Sequence, residues 1–283
     1  MQISNVENTK NPSNYSIRVR DKLVDLSTPM VMGIVNVTPD SFYAKSRSES
    51  IKGVLKIVEK MQHEGVNIVD IGGYSSRPNA QNIDISEEIY RVSPIIKAVR
   101  KEFGELNISL DTFRSEVARI GIENGADIIN DISGFEIDPQ IIDVVAHYKV
   151  PYVLMHMIGT PQNMTENTNY KNLFNDLILY FSTKIDFLKK KGINDIILDP
   201  GFGFSKTIEQ NYEILNFLEH LQLFNKPLLV GLSRKSMIYK KLGIRPEDSL
   251  PETIRLNKIA LDKGASILRV HDVHEAFELI KNI

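Results

Sequence analysis

"DIILDPGFGFSK", residues 195–206, is a short apolar run that ends on the carboxylate of Asp199 and passes at once into Pro200, two glycines and Lys206. An apolar run of this length, bounded by proline and glycine, reads as a strand buried on both faces, as in parallel sheets. Its last residue is polar where the chain leaves the core. The same design recurs along the sequence, in "VMGIVNV" (31–37), "NIVDIGG" (67–73), "NISLDTF" (107–113), "DIINDIS" (127–133), "PYVLMHM" (151–157), "PLLVGLS" (227–233) and "SILRVHD" (266–272). Between these runs, apolar residues return every three or four positions, as in "IKGVLKIVEKMQHEG" and "NLFNDLILYFSTKIDFLKKKG", which end on Gly65 and Gly192 where a helix C-cap belongs. Eight strands alternating with helices predict an α/β protein, a single-domain (β/α)8 TIM barrel over residues 26–283, preceded by an N-terminal extension at 1–25. A doubly wound open sheet is the alternative, because periodicity does not show closure.

The bulk numbers bound the function. The 283 residues are 42% hydrophobic and 25% charged, with a formal net charge of −2, which gives no electrostatic case for nucleic acid or an anionic membrane. The absence of cysteine excludes disulfides, thiolate metal sites and cysteine nucleophiles. No apolar leader or run of spanning length occurs, and the expectation is a soluble cytoplasmic protein.

Seven of the eight predicted strands carry a polar group near the C-terminal end: Asn36, Asp111, Asn130, His156, Asp199, Ser233, and Arg269 with His271. In an α/β barrel that end is where the active site is built. Taken singly, Asp199 or Asp111 reads as a helix N-cap, Asn36 as a turn former and His271 as a hydrogen-bonded rim residue. Their coincidence at corresponding strand ends outweighs those readings. Strand parity sends Arg269 and His271 to one face and groups Asn130 with Ile132 and Asp199 with Ile197. Carboxylates and an amide beside an apolar wall suit a flat heterocycle with several N–H donors, with Phe204 as a stacking surface. Arg77, Arg269, His271 and Lys235 suit a multiply charged anion. The spacing in "GFGFSK" is not that of a nucleotide phosphate loop.

In order, "VMGIVNVTPDSF", "DIGGYSSRP", "SLDTFRSEVA", "NDISG", "VLMHMIGTPQNM", "ILDPGFGFSKTIEQNYEIL", "LLVGLSRKSMI" and "RVHDVHEAF" resemble the successive motifs of the dihydropteroate synthase family of pterin-binding barrels. The resemblance runs from about Met30 to Phe277. It implies condensation of 6-hydroxymethyl-7,8-dihydropterin diphosphate with p-aminobenzoate to give 7,8-dihydropteroate and diphosphate in folate biosynthesis. It implies a pterin site of Asp111, Asn130, Ile132, Val153, Met155, Asp199, Phe204, Leu229, Gly231 and Lys235. The diphosphate would be held by Ser76, Arg77, Arg269 and His271, p-aminobenzoate by Arg77 and Ser236, and Mg²⁺ by Asn36. Asp111, Lys235 and Arg77 take the catalytic roles, and a homodimer is implied; the chain length predicts a stand-alone protein without the pyrophosphokinase domain sometimes fused to this family.

Two loops depart from the family pattern. Ala44 and Lys45 stand where the family has an aspartate and a glycine, and Tyr74 where it has a glutamate. Ala44 leaves open a catalytically weak pterin-binding paralogue acting as an interaction protein. A pterin-dependent methyltransferase on the same barrel and a Schiff-base aldolase using Lys235 are further alternatives.

Overall fold

The computed structural model describes residues 15–37, 47–76 and 82–283. Two short strands, β1 (Ser16–Val19) and β2 (Lys22–Asp25), form an antiparallel hairpin. Eight parallel strands follow: β3 (Met30–Asn36), β4 (Ile68–Gly72), β5 (Asn107–Asp111), β6 (Ile128–Asp131), β7 (Tyr152–Met155), β8 (Ile196–Asp199), β9 (Leu229–Val230) and β10 (Ile267–Val270). The ladder runs β8-β7-β6-β5-β4-β3-β10-β9. A parallel bridge between Leu198 and Leu228, with Leu198 N donating to Pro227 O at 2.9 Å, joins its two ends. That contact selects the barrel over the open sheet. The strand read from sequence as 227–233 keeps only two residues in the ladder, because the chain turns away at Gly231 to build the mouth.

The connecting helices are α1 (Arg47–His63), α2 (Ile85–Glu102), α3 (Ser115–Glu123), α4 (Ile141–Tyr148), α5 (Leu173–Lys190), α6 (Ile208–Phe217), α7 (Ser236–Leu242), α8 (Leu250–Asp262) and α9 (Val273–Lys281). Their apolar faces pack on the outward side chains of the strands, among them Val31, Val69, Leu110, Ile129, Leu154, Leu198 and Leu268, in one continuous layer. Alternation therefore sends the neighbouring residues inward.

The inward set is divided by height. At the N-terminal end Met32, Ile68, Ile128, Val153, Ile197, Leu229 and Ile267 form a floor. The hairpin seals it from below with Ile17, Val19 and Leu26, helped by Tyr15. Arg20, left-handed at φ 55 in the hairpin turn, pins the plug by donating to the carbonyls of Gly104 and Glu105, both at 3.0 Å. At the opposite end a separate apolar group, Tyr74, Phe113, Ile132, Met155, Met157 and Met164, lines the mouth. Between floor and mouth the inward positions turn polar.

Candidate active site at the barrel mouth

Two residues above the floor, the inward positions of β4, β5, β6, β8 and β10 are Asp70, Asp111, Asn130, Asp199 and Arg269. A fully buried carboxylate, Asp70, organises one side. Its Oδ2 accepts from Arg269 Nε at 2.7 Å and Asn130 Nδ2 at 3.0 Å, while its Oδ1 has no hydrogen-bond partner among the described residues. Arg269 Nη2 donates to Asp111 Oδ2 at 2.7 Å. One guanidinium thus bridges two acids, and Asn130 is tied to the same cluster. Burial pushes the Asp111 carboxyl up to about 7 against the pull of Arg269, with Asp70, Glu88 and Asp131 reinforcing the rise.

The other side is the stretch after β8. Asp199 Oδ1 accepts from Gly201 N at 2.7 Å, which leaves Oδ2 for a further donor. Gly201 has φ +73, and a side chain there would strike the carbonyl oxygen of His156, so only glycine makes this turn. Lys206 folds back beneath the turn and donates to the carbonyls of Gly201 (3.1 Å), Phe204 (3.0 Å) and His156 (3.2 Å), with His156 Nδ1 at 3.0 Å. Burial pushes this ammonium down to about 7, and burial together with the neighbouring Lys206 charge holds His156 well below its usual range. Thr207 then opens α6 with a capping box to Gln210. The Asp199 turn is therefore fixed at both ends before any ligand arrives.

Lys235 comes from the loop after β9. Its ammonium donates to Phe202 O and lies 4.7 Å from the centre of the Phe204 ring. Desolvation pushes it down to about 8, opposed by the charges of Asp199 and Asp111. A side chain at Gly231 would come within 3.8 Å of Arg269 Cβ and 3.9 Å of Lys235 Nζ, so the absence of one leaves room where the two cations converge. Asp199, raised by burial, is drawn back by Lys235 first and by Arg269 more weakly.

Of the residues expected from sequence, the structure gathers Asp111, Asn130, Asp199, Lys235, Arg269 and Gly231 at one end of the barrel, with Ile132, Met155 and Phe204 as its apolar wall. Val153 and Leu229 lie a layer lower, fully buried in the floor. His271, just past β10, is at the rim, where its backbone N donates to Ser233 Oγ at 3.2 Å and its Nδ1 lies 3.1 Å from the same oxygen. Asn36 is exposed at the end of β3, Ser76 is half-buried beyond β4, and Ser236 is half-buried as the first residue of α7. Arg77 and Ala44 fall outside the described residues. Asp70 was not anticipated, because it sits among Ile68, Val69 and Ile71 in a fully buried strand, and only closure of the barrel shows that its face is the inward one.

Tyr74 takes a defined place. Its ring meets Phe113 edge-on at 5.0 Å, its hydroxyl accepts from Gln162 Nε2 at 2.6 Å, and Arg114 lies 5.2 Å from its centre. It joins the loops after β4, β5 and β7.

No group of three or more acidic or histidine side chains that could cage a metal occurs among the described residues. The exposed amide of Asn36 offers one hard oxygen donor at the mouth, of the kind that Mg²⁺ takes alongside water.

Residues 32–271 match the family described as pterin binding enzymes. The dihydropteroate synthase of Escherichia coli is 41% identical over 260 residues, covering 91% of this chain and 92% of the relative. That of Synechocystis is 42% identical over 254 residues, covering 89% and 88%. The crystal structure of Yersinia pestis dihydropteroate synthase with a sulfonamide drug is similar with a TM-score of 0.88 at 37% identity, covering 95% of this chain and 98% of that one. The Xanthomonas albilineans dihydropteroate synthase with 4-aminobenzoic acid gives 0.86 at 33% identity, covering 95% and 97%. Likeness of this extent, on a closed barrel whose acids and cations meet at one end, makes the chain a member of the pterin-binding enzyme family.

Proposed function

We propose that the protein is a dihydropteroate synthase, a transferase that joins 6-hydroxymethyl-7,8-dihydropterin diphosphate to p-aminobenzoate with release of diphosphate. The observation that carries this reading is the convergence of Asp111, Asn130, Asp199, Lys235 and Arg269 at the apolar-walled end of the barrel. The relatives named above support the same activity in place of the methyltransferase and aldolase alternatives.

The residues suit the chemistry. The Asp199 carboxylate accepts from the 2-amino group and adjacent ring N–H of the pterin, Lys235 donates to the carbonyl and ring nitrogen, and Asp111 with Asn130 meets the opposite edge. Ile132, Met155 and Phe204 hold the ring plane and keep water from it, above a floor that includes Val153 and Leu229. The bond between the pterin methylene and the diphosphate oxygen breaks, and its electron pair leaves with the diphosphate. Arg269, His271, Ser76 and Arg77 hold those oxygens where negative charge grows, the kind of preformed stabilisation that lowers a barrier most. The Asp111 carboxylate lies beside the ring to stabilise the positive charge left behind. The amine of p-aminobenzoate, placed by Ser236 and Arg77, then forms the new C–N bond and loses its proton to solvent. Mg²⁺, held by Asn36 and the diphosphate, would neutralise the leaving group. A cytoplasmic homodimer belongs to the same proposal, supported by the family resemblance and testable by sedimentation.

The test is product detection from the two substrates with Mg²⁺, with Asp199→Ala as control. Dihydropteroate formed by the wild type and lost in the variant is the expected result. Pterin binding without turnover at adequate Mg²⁺ would instead establish the non-catalytic paralogue that Ala44 raises.

A further inference from the structure

We propose that Arg234 and Asp272 form a positioning clamp that locks together the two loops carrying Lys235 and His271, so that the ring donor and the anion-binding rim are presented as one unit. The proposal rests on the synthase reading above. Arg234 directly precedes Lys235 and Asp272 directly follows His271. Arg234 Nε donates to Asp272 Oδ2 at 2.9 Å and Nη2 donates to Oδ1 at 2.6 Å, a two-pronged pairing that fixes direction as well as distance.

Backbone pairing does not supply this register. The ladder between β9 and β10 has two rungs, Leu229 with Ile267 and Val230 with Leu268, and stops before either loop begins. Beyond it Ser233 Oγ meets His271, and the Arg234–Asp272 pair lies one residue further out on each chain. The backbone of Arg234 is left-handed at φ 53, a conformation that a residue of this bulk adopts seldom unless its surroundings hold it there. Arg234 N donates to Thr253 Oγ1 at 3.3 Å, which ties the turn to α8 as well. The pair's side chains remain 31% and 18% exposed, so solvent screens part of the attraction, while the fork still fixes position.

The experiment uses the full chain with Mg²⁺ and three variants: Arg234→Asn, Asp272→Asn and the double. Asparagine tolerates the left-handed backbone, so Arg234→Asn removes the cation without straining the turn. Misplacement of binding groups by about an ångström costs up to about a hundredfold, so each single variant is expected to raise the KM and the calorimetric Kd for dihydropterin diphosphate by about tenfold. Because the two residues act as a pair, the double variant is expected to be no worse than either single one. Thermal midpoints should stay close to wild type. Wild-type KM and Kd in both singles, or a double variant whose loss is the product of the two, would overturn the clamp. If Asp272→Asn does not fold, Arg234→Lys, which keeps the charge and loses the fork, must show the same rise or the proposal fails. A wild-type protein that binds dihydropterin diphosphate but makes no product would sink the synthase reading alone, and the Kd values would still decide the clamp.

Discussion

Replacing Asp70 by alanine removes the acceptor on which the side chains of Arg269 and Asn130 depend. Asp70 is fully buried, and its Oδ2 serves both Arg269 Nε at 2.7 Å and Asn130 Nδ2 at 3.0 Å. Deleting one partner of a buried ion pair typically costs about 3–5 kcal/mol. Two features move this site to the lower end of that range. Arg269 retains Asp111 at 2.7 Å, and Asp70 Oδ1 already lacks a hydrogen bond, so burial of the carboxylate is itself only partly compensated. We expect a loss of about 3 kcal/mol in urea unfolding, with the Asn130 amide left without its acceptor. Pterin affinity should fall with it by about tenfold, equal to about 1.4 kcal/mol, since Arg269 and Asn130 lose their anchor. Asp70→Asn, which keeps one acceptor oxygen and gives up the charge, should fall between wild type and alanine in both measurements. Unfolding within about 0.5 kcal/mol of wild type, together with unchanged pterin affinity by calorimetry, would refute the reasoning.

On the proposed pterin site Asp199→Ala deletes the acceptor of two pterin donors; charge-assisted bonds are worth about 1.5–3 kcal/mol each, so calorimetry should show pterin binding weakened by at least about a hundredfold. The pH profile of kcat/KM should be narrow. Its acid limb near 7 reports Asp111 gaining its charge as pH rises, and its basic limb near 8 reports Lys235 losing its proton. For stability the sign at Asp111 is opposite to that of an ordinary paired carboxylate. Its folded pKa is raised from 3.8 to about 7, so the folded state holds a proton that the unfolded chain releases, and this contribution declines as pH climbs through that window. Titrating urea midpoints in wild type and Asp111→Asn checks it. Ile17→Ala, in the floor plug, should cost about 2–5 kcal/mol in unfolding while leaving the Kd for pterin unchanged, because Ile17 packs among floor residues below the polar layer; a large change in Kd would show that floor and mouth are coupled.

The strand alternation and the polar residue closing most strands are legible in the chain because both follow from local rules. A strand covered on two faces must be continuously apolar, and its first tolerated polar group marks where it leaves the core. That reading found Asp111, Asn130, Asp199 and Arg269, while the rigid hold on Asp199 by the Gly201 turn came only from the structure. It could not find Asp70, whose neighbours Ile68, Val69 and Ile71 describe an ordinary buried strand. Nor could it assign the hairpin at 16–25 to the floor, although Ile17 and Val19 alternate with the exposed Ser16 and Arg18. Both depend on closure. The Leu198–Leu228 bridge rolls the sheet shut, and the stagger between strands sets Asp70 beside Ser109 and within reach of Arg269, 199 residues away in sequence. Period and composition record which way a side chain faces along its own strand. How far each strand is shifted against its neighbours, and therefore which inward groups meet, is settled by ladder register around the whole barrel, a property of no single segment.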